Sequence, residues 1–131
     1  MSWKPIIRAE EKLKNKVLIR CYDSSVGIYI PIATRKMIGI KQDCFCIVNY
    51  WKSETESDNR HKLFIQFMDD EQKTSRRLYH GKINLPLGII RKHMPSVNGA
   101  KGKYEVPVIT DKGNVLIDMR DLHNDDEHTA S

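Results

Sequence analysis

Two adjacent cation pairs, Arg35-Lys36 and Arg91-Lys92, each follow a hydrophobic-proline step, at Pro31 and Pro86, by a few residues. Guanidinium and ammonium groups side by side on a short helix can neutralise phosphates and release their counterions. An arginine so placed also has the two-pronged geometry that matches the O6 and N7 acceptors of guanine. Arg20 stands on the strand face opposite Val17, Ile19 and Cys21, and Arg76, Arg77 and Lys82 form the densest basic cluster of the chain. These eight residues are the candidate DNA contacts, and each has the plainer alternative of a solvated side chain. Tyr22, Tyr29 and Tyr79 could stack on sugars or bases, or simply pack.

Other chemistries find less support. Cys44 and Cys46 sit two apart in an apolar run, so on a strand both point to one face. With Cys21 they are too few, and odd in number, for a disulfide framework, and the histidines (His61, His80, His93, His123, His128) are too scattered to complete a metal site. Buried thiols are the expectation, with no metal and no cofactor. Combinations such as Asp23 with His80 or Cys21 with His93 lack any nucleophile motif or phosphate loop, so no catalytic residue is assigned and an enzyme is not expected.

The chain has 131 residues, 40% hydrophobic and 30% charged, enough for one ordinary domain with a core. Its longest apolar runs, such as Val26 to Ala33, are too short to span a bilayer, and the start lacks the apolar stretch of a secretory signal. A cytoplasmic, nucleoid-associated protein is the expectation. Net charge is +5, and its distribution is uneven. Residues 1–41 carry nine Lys/Arg against three Asp/Glu, residues 42–72 three against seven, residues 73–105 eight against one, and residues 106–131 two against six. Charge therefore rises and falls twice.

A repeat of elements lies beneath that wave. Strands are predicted at Lys16–Asp23, Gly27–Pro31, Asp43–Trp51 and Lys62–Met68, with a short helix over Ile32–Ile40 that Gly39 stops. The second half follows with strands at Ser75–His80 and Gly81–Pro86 and a helix at Leu87–Met94. A hairpin of Tyr104–Ile109 and Asn114–Met119 then turns at Gly113. Pro31 and Pro86 are 55 positions apart (86 − 31), and the basic peak of each half falls on its first strands and helix. Pro107 predicts an edge strand or a bulge. The divisions are a basic leader (1–15), a first unit (16–72), a second unit (73–120) and a disordered acidic tail (121–131). The tail has almost no apolar anchors, so the loop Lys52–Arg60 or the leader is the better candidate for partner contact.

The segment Ile19–Tyr50 carries Asp23, Ile30-Pro31, Arg35-Lys36, Ile38-Gly39-Ile40 and a Lys41-to-Asp43 lead into the next strand. In that order it resembles the AbrB/MazE/SpoVT family of swapped-hairpin DNA-binding domains. Gly81-Lys82, Leu85-Pro86, Ile90-Arg91-Lys92 and the Tyr104-to-Met119 hairpin resemble the same pattern more weakly. There are two departures. Gly27 falls one place late and is followed by Ile28 where the family has a cation, and the second helix is expected to hold one extra residue before its Arg-Lys pair.

The resemblance implies a mainly β protein with short helices, a swapped-hairpin (cradle-loop) barrel closed within one chain as a pseudo-dimer. It implies double-stranded DNA as partner, a role in transcription regulation, and contacts from Arg20, Arg35, Lys36, Arg76, Arg77, Lys82, Arg91 and Lys92. Self-association to a dimer and a protein partner at the acidic hairpins are further expectations. The competing expectation is a protein-interaction module of the same fold, antitoxin-like or a complex subunit.

Overall fold

The computed structural model describes residues 2–4, 13–40, 44–51, 58–94, 97 and 99–123. The Lys41-to-Asp43 lead, most of the leader, most of the Lys52–Arg60 loop and the tail after His123 lie outside the described residues. Eight strands are described: β1 (Lys16–Cys21), β2 (Ser25–Tyr29), β3 (Cys44–Tyr50), β4 (Lys62–Met68), β5 (Arg76–Leu78), β6 (Lys82–Pro86), β7 (Gly102–Asp111) and β8 (Asn114–Asp118). Helix α1 (Ile32–Ile38) follows β2 and α2 (Leu87–His93) follows β6.

All neighbouring strands are antiparallel, in the order β5-β3-β4-β8-β7-β1-β2-β6. The end strands β5 and β6 meet through the bridge Tyr79–Lys82, so the sheet is a nearly closed barrel. Each strand alternates a core residue with an outward one, as a pleated chain buried on one side must. Val17 and Ile19, Val26 and Ile28, Leu63 and Ile65, and Val115 and Ile117 fill the interior at 0–1% exposure. Cys44 and Cys46 share that inner face, as their spacing predicts, and all three cysteines are free thiols.

Strands from the two halves interleave. Exchanging β1 with β5, β2 with β6, β3 with β7 and β4 with β8 leaves every neighbour relation in the barrel unchanged. The registers obey the same exchange. About the central pair Ile28–Ile83, the pair Gly27–Asn84 exchanges with Tyr29–Lys82. Likewise, Val26–Leu85 exchanges with Ile30–Gly81, the latter joined by the Ile30 N–H donating to the Gly81 carbonyl at 2.8 Å.

Both helices occupy seven residues directly after their prolines, so the extra residue before the second Arg-Lys pair does not lengthen its helix. Its Arg-Lys pair is instead one position later and therefore turned about 100° around the helix axis. Pro31 and Pro86 stand at the two N-caps, while Gly39 ends α1 in the left-handed conformation at φ 85°. Helices this short do not persist alone. For α1 the anchor is Thr34, fully buried: its hydroxyl accepts from the Lys16 N–H at 3.2 Å and lies 2.8 Å and 2.7 Å from the carbonyls of Leu13 and Lys16.

One expectation holds locally and one is corrected. Pro107 lies in the part of β7, residues 102–107, that pairs with β1 alone and has no described strand on its other side, so it stands on a local edge as expected. It sits where β7 passes from β1 to β8, the last paired residue on β1 before Val108 pairs with Ile117, so its missing N–H falls at a change of partner. The ordered chain continues past Asp121: Met119–His123 forms a 3₁₀ turn that buries Met119 and Leu122 at 0% and 2% exposure. Between β5 and β6, His80 and Gly81 both take positive φ, 51° and 78°, which makes a two-residue hairpin turn.

At Gly81 a Cβ would stand 2.8 Å from the Ile30 carbonyl oxygen in a backbone conformation that L residues rarely adopt. Gly81→Ala is expected to destabilise by about 1–3 kcal/mol. Gly88, inside α2, has open space within 4 Å of where a Cβ would stand. It should tolerate alanine and gain up to about 1 kcal/mol. Denaturant unfolding of the two variants checks both signs.

Candidate nucleic-acid interface

The outer face of the β7-β1-β2-β6 sheet carries the basic surface. Cross-strand register lines up Lys103, Arg20, Gly27 and Asn84 in one row, and Glu105, Leu18, Tyr29 and Lys82 in the next. These rows floor a concave groove of about 500 Å³, into which Tyr22 and His80 also project. The β1–β2 turn, closed by the Tyr22 N–H donating to the Ser25 carbonyl at 2.9 Å, holds Tyr22 at the rim. The Arg20 guanidinium lies 5.1 Å from the Tyr22 ring centroid, a cation–π contact that orients both groups. Glu105, the acid on this face, lies 3.6 Å from Lys16. Arg20, Lys82 and Lys103 have no ion-pair partner among the described residues.

A second recess of about 530 Å³ adjoins the first, sharing Tyr29 and His80 and adding Ile32, Arg35, Lys36 and Ile40. Within it the two members of the first Arg-Lys pair differ. Lys36 is exposed. Arg35 is half-buried: its Nε donates to the Ile30 carbonyl at 3.0 Å, and its guanidinium lies against Gly81. It thus ties α1 to the β5–β6 turn of the other half.

The cluster of Arg76, Arg77 and Lys82 is divided by the pleat. Arg77 stands outward, 6.0 Å from the ring of exposed Tyr79. Arg76 faces the cleft beneath α2 with Val48, Leu85 and Ile90, its Nη1 3.5 Å from the Asn84 carbonyl. Arg91 and Lys92 are exposed in the last turn of α2. That helix begins against the β1–β2 turn, where the Leu87 N–H donates to the Ser24 carbonyl at 3.0 Å. The structure therefore brings Arg20 and Lys82 to one groove, sets Lys36 beside it and Arg91-Lys92 at the far turn, and turns Arg76 away. Lys103 and Asn84 are not singled out by the sequence. Alternation along β7 places Lys103 on an outer face, but only the pairing of β7 with β1 puts that face beside Arg20.

Burial pushes the Cys46 thiol up to about 11, with Cys44 adding to the shift and Arg76 opposing it. Cys21 is raised by burial and lowered in part by Arg91. Asp118 is held below the usual carboxylate range, first by the side-chain hydrogen bonds from Arg120 at 3.0 and 2.7 Å, against a smaller opposing effect of burial. His93 stacks on Tyr50 with ring centroids 3.9 Å apart, and the buried Nδ1 of His61 has no hydrogen-bond partner among the described residues. Among the described residues no group of three or more His, Cys, Asp or Glu is placed to hold a metal ion, and no helix is long and apolar enough to cross a membrane. Comparison of the chain with protein-family models, with curated proteins and with solved structures finds no match.

These placements can be checked by substitution and by labelling. Arg35→Ala should lower stability by about 1–3 kcal/mol, because it strips a charged donor from the Ile30 carbonyl, whereas Lys36→Ala should leave the melting transition unchanged. Thermal unfolding of both variants decides this. With its pKa near 11 and its side chain buried, Cys46 holds almost no thiolate at pH 8. Iodoacetamide at that pH should spare Cys44 and Cys46 in the native protein and modify all three cysteines in denaturant, as mass spectrometry would count. Rapid native labelling of Cys46 would contradict the burial.

Proposed function

We propose that this chain binds double-stranded DNA and regulates transcription, as an AbrB-like barrel in which two units of one chain take the place of two subunits. The observation that carries the reading is the groove of the β7-β1-β2-β6 face, where Arg20, Lys82 and Lys103 stand exposed and unpaired by acids among the described residues. The invariance of the strand order under exchange of the halves supports the pseudo-dimer, and the swapped contacts of each helix with the other half's turn support the family resemblance. On this reading lysine and arginine neutralise phosphates along the groove, Lys36 extends the contact past α1, and Arg91-Lys92 extends it past α2. Arg35 serves the interface by setting the angle of α1, and Arg76 contributes little.

A protein-interaction role is the second reading. It draws on the opposite sheet, whose outer face aligns Asn49, Phe64, Leu116 and Ile109 in one row beside exposed Trp51.

Fluorescence anisotropy with a random-sequence duplex over a salt series separates the two. If Arg20, Lys36, Lys82 and Lys103 each neutralise one phosphate, the slope of log K against log salt should be at least about −3.6 in magnitude, and each single alanine variant should reduce it by about 1. Arg76→Ala should leave the slope unchanged. No binding at low salt would move the barrel to the protein-interaction class.

A further inference from the structure

Gly27 occupies the middle of β2, where glycine weakens a strand and offers no side chain to pack. Its φ is not in the left-handed region, so the backbone does not require glycine there. What the missing side chain does is let the Asn84 carboxamide and the Tyr22 ring close in over the strand at the groove floor. A Cβ at this position would stand 3.3 Å from the Asn84 Oδ1 and 3.4 Å from the Tyr22 ring. The exchange of halves sharpens the point: the counterpart of Gly27 is Lys82 and that of Asn84 is Tyr29, so this meeting of a carboxamide and a ring over glycine occurs once in the barrel.

We propose that the recess over Gly27 takes a single adenine nucleotide, and that a nucleotide seated there competes with duplex DNA for the same face. The second clause rests on the DNA-binding reading above; the first does not. The volume, about 500 Å³, lies within the usual range for small-molecule sites. Tyr22, 47% exposed and held by Arg20, presents a flat π surface beside the floor on which a base can stack. The Asn84 carboxamide is turned to the floor and makes no hydrogen bond among the described residues. Its paired acceptor and donor match the N6 amino group and N7 of adenine, whereas guanine offers two acceptors on the same edge. Lys103 on β7 and Lys82 on β6 bound the recess from opposite sides and supply cations for the phosphates.

The test is isothermal titration of the full chain with ATP, GTP and inorganic tripolyphosphate, followed by ATP displacement of a labelled duplex read by anisotropy. ATP should bind about 10-fold more tightly than GTP and more tightly still than tripolyphosphate. Asn84→Ala should collapse the preference for ATP over GTP to within about 3-fold. Gly27→Val should weaken ATP about 10-fold or more by displacing Asn84 and Tyr22, and a thermal melt would establish that it folds. Since Asn84 is exposed, its variant keeps the test decisive even if Gly27→Val does not fold. Absence of binding at millimolar ATP, or equal binding of the three polyanions, would overturn the site. ATP binding without displacement would overturn the competition alone. ATP binding by a chain that ignores duplex DNA would sustain the recess and remove the DNA reading.

Discussion

The antiparallel pairing of β2 with β6 is the constraint on which the rest of the barrel depends. Neither half could present β2 or β6 with a satisfied edge by itself, because each would leave a row of N–H and C=O groups unpaired beside an apolar face. Paired about Ile28 and Ile83, the two strands close each other's ladders and bring both fully buried side chains to the centre of the molecule. The same pairing brings each helix against a turn of the opposite half: Ile30 bonds to Gly81 before α1, and Leu87 bonds to Ser24 at the start of α2. Helix placement is thus a consequence of strand register.

Agreement between the halves is an inside property. Ile28 and Ile83, Ile30 and Leu85, and Ile19 and Leu78 occupy corresponding positions and are buried alike. On the outside the correspondence fails: Gly27 stands where the other half has Lys82, and Tyr29 where it has Asn84. The physical reason is that interior positions share one cavity and must fill it, so apolar bulk is demanded of both halves. Outward positions answer to whatever meets each surface. A face built from non-equivalent residues has no internal two-fold in its chemistry, whatever the two-fold in its strands, and on the DNA-binding reading it would favour a target that is not a perfect palindrome.

Much of the fold was legible because strands of this kind announce themselves locally. The alternation of Val17, Ile19 and Cys21 against Leu18 and Arg20, the prolines at 31 and 86, and Gly39 place elements to within about two residues. The basic residues were legible as types but not as a site. Arg35 and Lys36 are neighbours in sequence, yet one is spent on the Ile30 carbonyl and the other faces solvent. Arg76 and Arg77 are likewise adjacent, and the pleat sends them to opposite sides. Adjacent residues on a helix or strand diverge in direction, so a charge cluster counted along the chain is not a cluster in space.

Sequence alone determined which residues must turn inward and where the turns fall, since these follow from periodicity, proline and glycine geometry, and the need to bury apolar surface. Only the tertiary structure decided that β7 lies beside β1, that Lys103 therefore joins Arg20, and that Tyr22 and Asn84 meet over Gly27. Those facts depend on pairings between residues more than fifty positions apart. Nothing in local propensity encodes such pairings; they are selected by the one register that closes the barrel and fills its core.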